Sequence, residues 1–301
     1  MEVIKEGQQQ VCVIGTKMSM AVQDTEGSFL FGASSVYNIQ QFIGEGSFGK
    51  VARCRNVKTS ETVAVKVLKK EREKDDDETI GVLNPDVTNL VKFFECFTHL
   101  GHTCLVFEML DISLYHLLKE REWKPMCPSE IRPIAEQLMV ALGALKRFGI
   151  LHADIKPDNV MLVDAAARPF RAKLIDFGEA VPVSKVTRGM QIQAIGYRAP
   201  EVCLGLPFSE AVDTAMEFRA ANHKPAKEGY ALPEGIRFLE DMVNIHPVKD
   251  AAELEERKAF IDLLKGLLHL NGDQRLTPRA ALRHPFMKKV CLSQDPHSRP
   301  G

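Results

Sequence analysis

The sequence predicts an α+β fold of two unlike lobes, a small antiparallel β lobe followed by a larger, mainly helical one. Three observations carry this. Five short β-rich runs follow one another between Tyr37 and Phe107, a helical apolar period takes over after Asp111, and a second helical period opens at Ala251. With 301 residues, 45% of them hydrophobic, the chain has enough apolar surface to bury a core of that size.

In chain order, residues 1–36 mix Gln, Gly and Ser with isolated apolar residues and show no period, so they read as an irregular extension. The runs 37–43, 51–57, 62–68, 90–97 and 102–107 are each bounded by Gly, Asn, Ser or charge clusters and read as strands. Ile131, Ile134, Ala135, Leu138, Ala141, Leu142 and Leu145 then recur at helical spacing behind Pro128-Ser129-Glu130, a helix start. That is a buried helix of about five turns. Residues 160–163 and 172–175 read as two short strands. Beyond Ala251, Phe260, Leu263, Leu264, Leu267 and Leu268 share one helix face, with Gly272 past its end. The implied organisation is a domain over 37–286, with lobes at 37–108 and 112–286, and a tail at 287–301.

Charge and cysteine usage exclude several classes. The 39 basic and 40 acidic residues nearly cancel, so no overall field draws the chain to nucleic acid or anionic lipid, and a small-molecule or protein substrate is left. The seven cysteines (12, 54, 96, 104, 127, 203 and 291) form no C-x-x-C pair, against a disulfide framework or a zinc finger and for a reducing compartment. Cys96, His99, His102 and Cys104 have zinc-compatible side chains, but they straddle a hairpin turn at Leu100-Gly101, where packing is the simpler role. The apolar run 11–15 is short for a signal-peptide core, no span suits a membrane, and Glu2 excludes myristoylation. The expected location is nucleus or cytoplasm, with no membrane or direct nucleic-acid partner.

The chemistry sits in spaced motifs. Gly44-Glu45-Gly46-Ser47-Phe48-Gly49 lies between two strand runs, and glycines there let backbone N–H groups approach phosphate oxygens. A dinucleotide fold needs a helix next, whereas Val51-Ala52-Arg53-Cys54 is a strand, which selects a nucleotide lid. Lys66 ends the apolar run Val63-Ala64-Val65, where an ammonium is costly unless it meets an anion such as a nucleotide phosphate; the competing reading is a lysine that snorkels to water. The densest segment is His152-Ala153-Asp154-Ile155-Lys156-Pro157-Asp158-Asn159, followed by Asp176-Phe177-Gly178. Phosphoryl transfer needs a proton acceptor, ligands for magnesium and cations against phosphate charge. Asp154, then Asn159 with Asp176, and Lys156 match those needs in type and order. The bland alternative, turn-forming polar residues, must explain four spaced matches at once.

These motifs, with Ala199-Pro200-Glu201, resemble those of eukaryotic protein kinases from Tyr37 to Phe286, and Lys156-Pro157 is the serine/threonine form of the loop. His-Ala-Asp at 152–154, Cys104-Leu-Val-Phe-Glu-Met-Leu110 and Leu204-Gly-Leu-Pro-Phe208 are similar to the homeodomain-interacting protein kinases. The resemblance implies a protein-kinase-like fold, ATP and Mg2+, protein substrates with serine or threonine acceptors, and transcription regulators among them. It further implies that Ile43, Val51, Ala64 and the hinge Glu108–Leu110 enclose adenine with Phe107 behind, and that Glu201 pairs with Arg275.

Three departures from the family pattern stand beside it. Ten consecutive charged residues, 69–78, follow the strand lysine, and the apolar segment whose glutamate holds that lysine in related kinases is missing where Gly81 joins Val82, leaving Glu71, Glu73 or Glu78 as substitutes. Asp213 aligns with an Asp-x-Trp-Ser-x-Gly motif whose continuation is missing, since Trp123 is the sole tryptophan. Gln191 and Ile195 stand where related kinases carry tyrosine and arginine. A pseudokinase or truncated isoform acting as a nucleotide-binding scaffold is therefore the alternative reading.

Overall fold

A computed structural model of the protein describes residues 25–46, 49–69, 84–214, 238–244 and 247–288. The charged run beyond Lys69, with Glu71, Glu73 and Glu78, lies outside them, as do Ser47, Phe48 and residues 215–237.

Six strands form one antiparallel sheet: β1 (Phe29–Phe31), β2 (Val36–Glu45), β3 (Gly49–Asn56), β4 (Thr62–Leu68), β5 (Phe93–His99) and β6 (His102–Glu108), in the order β1-β2-β3-β4-β6-β5. Five were expected. The sixth, β1, lies inside the stretch read as irregular, and tertiary contacts rather than any period hold it. Leu30 is fully buried in the sheet core, and the next segment is pinned to β5 through Glu95. That carboxylate accepts from the Tyr37 hydroxyl at 2.5 Å and from both the backbone and the hydroxyl of Ser34. The fourth expected strand begins at Phe93 rather than at Leu90, because Leu90 instead makes a parallel bridge to Leu174.

Ala52 and Cys54 on β3 and Val63 and Val65 on β4 alternate with more exposed neighbours, the period-two pattern of a sheet with one buried face. Register then lines up the lid and the lysine, since Val51 lies opposite both Gly44 and Lys66. Gly49 is obligatory for that register: a Cβ there would sit 2.0 Å from the Val67 carbonyl oxygen.

Below the sheet, α1 (Pro85–Thr88) and α2 (Leu114–Glu120) lead to α3 (Pro128–Arg147), a 20-residue helix at the predicted position. Its first turn is closed by Glu130, which accepts from the Cys127 N–H at 2.8 Å and from both terminal nitrogens of Arg121. The short strand β7 (Ile150–Leu151), the hairpin β8 (Val160–Asp164) and β9 (Arg168–Leu174), and β10 (Val181–Pro182) follow; β10 pairs with β7. Then come α4 (Pro200–Cys203), α5 (Ala251–Leu267), α6 (Pro278–Ala281) and α7 (Pro285–Lys288). Leu142 and Leu145 of α3, Leu162 and Leu174 of the hairpin, Leu263 of α5 and Phe286 of α7 make the lower core. Each such side chain contributes roughly 1.5–3 kcal/mol on burial.

Two buried ionic groups fasten the polar loops to this core. Asp213 accepts from the N–H of His152 at 2.7 Å and of Ala153 at 3.0 Å, which fixes the turn after β7. Ala153 sits at φ 63°, a left-handed conformation that a non-glycine residue keeps only when its surroundings enforce it. Burial pushes the Asp213 carboxyl up to about 6 although both N–H groups oppose this. The second group is the pair expected from resemblance. Glu201 and Arg275 form a two-point contact at 2.7 and 3.0 Å, and Arg275 also donates to the carbonyls of Ala211 and His269.

Removing Arg275 leaves a buried carboxylate and two carbonyls without their partner, so Arg275→Met is expected to cost about 3–5 kcal/mol in denaturant unfolding. Asp213→Ala strands two buried N–H groups and is expected to cost about 2–4 kcal/mol at neutral pH. Because the folded-state carboxyl titrates above its unfolded value, its stabilising contribution is full at low pH and lost as pH rises through about 6. The gap between wild type and Asp213→Ala therefore widens from neutral pH to about pH 5, which a pH series of denaturation midpoints checks.

Candidate active site

The predicted catalytic residues meet in the loop between β7 and β8. Pro157 starts a 3-10 turn over Pro157–Asn159, and this folds Asn159 back onto Asp154. Its amide nitrogen donates to the Asp154 backbone carbonyl at 2.7 Å and to Oδ2 of the Asp154 carboxylate at 2.9 Å. Lys156 Nζ donates to that same Oδ2 at 2.7 Å. Among the described residues no hydrogen bond reaches Oδ1 of Asp154 or Oδ1 of Asn159, so each keeps an oxygen for another ligand.

His152 builds the floor. It is completely buried, and burial holds its imidazole below the ordinary histidine value, so the ring is neutral at pH 7. Nε2 lies 2.9 Å from the Ile175 carbonyl and therefore carries the proton, while Nδ1 accepts from the Asp154 N–H at 3.3 Å. The ring also packs on Phe177, with centroids 5.0 Å apart. Ile175 N–H donates to the Asn159 carbonyl, closing the link between the loop and the strand end that presents Asp176.

Asp176 stands at φ 60° and accepts from Lys66 Nζ at 2.5 Å and from the Gly178 N–H at 3.1 Å, both on Oδ1. Burial alone would raise its carboxyl, but Lys66 and the Gly178 N–H hold it below the ordinary carboxylate value. A Cβ at Gly178 would stand 3.0 Å from that oxygen and 3.6 Å from Lys66 Nζ, so only glycine leaves the pair undisturbed. The predicted lysine, the predicted carboxylates and the predicted amide thus form one connected cluster.

Above it, a Cβ at Gly44 or Gly46 would meet nothing within 4 Å, which is open space of the kind a phosphate cradle needs. Glu45 lies 3.6 Å from Lys69, whose Nζ also donates to the Gly46 carbonyl. Along the sheet, Ala64 lies opposite Phe107, whose ring packs on Phe93 with centroids 5.6 Å apart. Leu110 is buried and Val51 and Ala64 are partly so, whereas Ile43 is exposed. Glu108 turns its carboxylate elsewhere: it accepts from Lys173 at 2.5 Å and from the Lys92 N–H at 2.6 Å.

Two features escaped the sequence reading. Lys173, only 5% exposed, is the carboxylate's partner, and a lone lysine before an apolar strand end was the same signal that singled out Lys66. Gln193 is buried at φ 66° inside the activation segment, residues 176–201, and no local pattern marks it. Of the four zinc-compatible side chains, Cys104 is buried in the sheet core, His99 accepts from the Phe31 N–H, His102 contacts the Leu68 carbonyl, and Cys96 is exposed.

A model of the protein kinase domain matches residues 37–287. Homeodomain-interacting protein kinase 1 of Rattus norvegicus is 34% identical over 92% of this chain, which spans 29% of that protein's length. Homeodomain-interacting protein kinase 4 of Homo sapiens is 39% identical over 85% of the chain and 56% of its own length. A solved kinase-domain crystal structure covers 88% of the chain with a TM-score of 0.69 at 21% identity, a likeness of fold. A match over that span, on a fold that joins these side chains at one site, makes the chain a member of the protein kinase family.

Proposed function

We propose that the chain is a protein serine/threonine kinase that transfers the γ-phosphoryl group of Mg-ATP to a protein hydroxyl. The observation that carries this reading is the Asp154 carboxylate. Lys156 and Asn159 both bond Oδ2, so Oδ1 is left to take the proton of an incoming hydroxyl. The hydroxyl oxygen then forms a bond to the γ-phosphorus as the bond to the β-phosphate oxygen breaks, and ADP leaves.

The residues present fit the nucleotide and the metal. Open space over Gly44 and Gly46, with Ser47, Phe48 and Gly49 completing the loop, suits a polyphosphate. Ile43, Val51, Ala64, Leu110 and the Glu108 backbone would enclose the base. The free oxygens of Asn159 and Asp176 are hard donors of the kind Mg2+ prefers, and the ion would neutralise charge on the phosphates. Lys66 and Lys156 supply fixed positive charge on either side. Protein substrates follow from the family, and the relatives' names suggest transcription regulators among them, in the nucleus or the cytoplasm. Among the described residues no helix is long and apolar enough to cross a membrane.

A nucleotide-binding scaffold without transfer is the second reading, and the Lys66–Asp176 contact favours it. The lysine occupies Oδ1 of Asp176, so metal and lysine would share one carboxylate.

Transfer of labelled phosphate from Mg-ATP to a basic protein tests the first reading. Asp154→Asn is expected to lower kcat by roughly 10²–10⁴-fold while keeping the ATP-dependent rise in Tm. Lys66→Met is expected to abolish that rise, worth about 2.7 kcal/mol at 100 times Kd. Absence of transfer by the wild type, with the rise intact, would establish the scaffold reading instead.

A further inference from the structure

We propose that Gln191 and Gln193 are positioning residues that hold the activation segment in its substrate-receiving shape without any phosphate. The inference rests on the kinase reading above and adds how that site is regulated.

The segment's end is organised by one arginine and two glutamines. Arg198 donates through Nε to the carbonyls of Ile192 and Gln193, both at 3.1 Å, and through Nη1 to the side-chain oxygen of Gln191 at 2.9 Å. Gln193 reaches two ways. Its amide nitrogen donates to the Val212 carbonyl at 3.0 Å, and its oxygen accepts from the Ala199 N–H at 2.8 Å. Ala199 caps α4, the helix that carries Glu201, while Val212 precedes Asp213. Gln193 therefore bridges the two buried ionic anchors of the lower lobe. Ile192 packs with Ala153 and Val212 in one apolar cluster beside it.

Every acceptor in this set is an uncharged oxygen, and neither glutamine can carry a phosphate. A segment ordered by added phosphate needs the guanidinium free for a dianion. Here Nε and Nη1 of Arg198 already hold three neutral acceptors, so the turn over 191–198 is closed with no phosphate in it. The φ of 66° at Gln193 points the same way, because a left-handed non-glycine residue persists only where its surroundings enforce it, as the two side-chain bonds do here.

Hydrogen exchange over residues 183–203, with and without phosphatase treatment, tests this alongside transfer to a protein substrate. The expected result is unchanged amide protection and unchanged transfer after phosphatase. Gln191→Ala is expected to speed exchange and to lower kcat/KM for the protein roughly tenfold, the size of one hydrogen bond to a charged group, with the ATP-dependent Tm shift intact. Gln191→Glu, which keeps the acceptor, is expected to restore both. Loss of protection on phosphatase treatment, or a Gln191→Ala protein that exchanges like wild type, would overturn the inference. A protected segment with no transfer would support it and overturn the catalytic reading alone.

Discussion

One buried carboxylate sets the geometry on which the rest of the site depends. Asp213 holds the N–H groups of His152 and Ala153, and this forces Ala153 into the left-handed region. With its backbone so fixed, His152 can turn its ring inward, bond the Ile175 carbonyl and pack at a tilt against Phe177. The position of Asp176 follows from Ile175, and that of Lys66 follows from Asp176. A sequence of short, directional contacts therefore runs from the lower lobe to the sheet, and none of its links is a large apolar surface.

Among the described residues, the buried cations lie beside anions they can share. Lys66 and Lys173 lie near the seam between sheet and helices, and each ends on a carboxylate, Asp176 and Glu108 respectively. Glu201 and Arg275 do the same deeper in the lower lobe. Such pairs add little net stability over an apolar core, but a packing that left one member alone would cost about 3–5 kcal/mol. In this chain they fix the relation of loops to lobes, while leucine packing supplies the stabilising area.

Much of this was legible in the sequence because it is written in local patterns. The period of α3, most of the strand runs and the spaced polar motifs depend on residues close in sequence; α3 stands at the predicted position, while the fourth strand run starts at Phe93 rather than Leu90. Strand β1 was not legible, since three residues define no period and Leu30 is held by partners elsewhere in the sheet. The direction of the Glu108 carboxylate was also hidden: the hinge motif places the residue, but Lys173, 65 positions away, turns its side chain. Gln193 is the extreme case, because a glutamine in a loop carries no signal until the carbonyl it meets is known.

The three loop glycines differ in a way that bears on how any alanine scan of this loop reads out. Gly44 and Gly46 have empty space where a methyl group would go, so a change there reports on whatever occupies that space. Gly49 faces the Val67 carbonyl at a distance no methyl group tolerates, and a substitution would part β3 from β4. The line joining Gly44, Val51 and Lys66 would break with it. Loss of nucleotide affinity at Gly49 would accordingly be a measurement of sheet integrity, and only the two open glycines can serve as probes of phosphate contact.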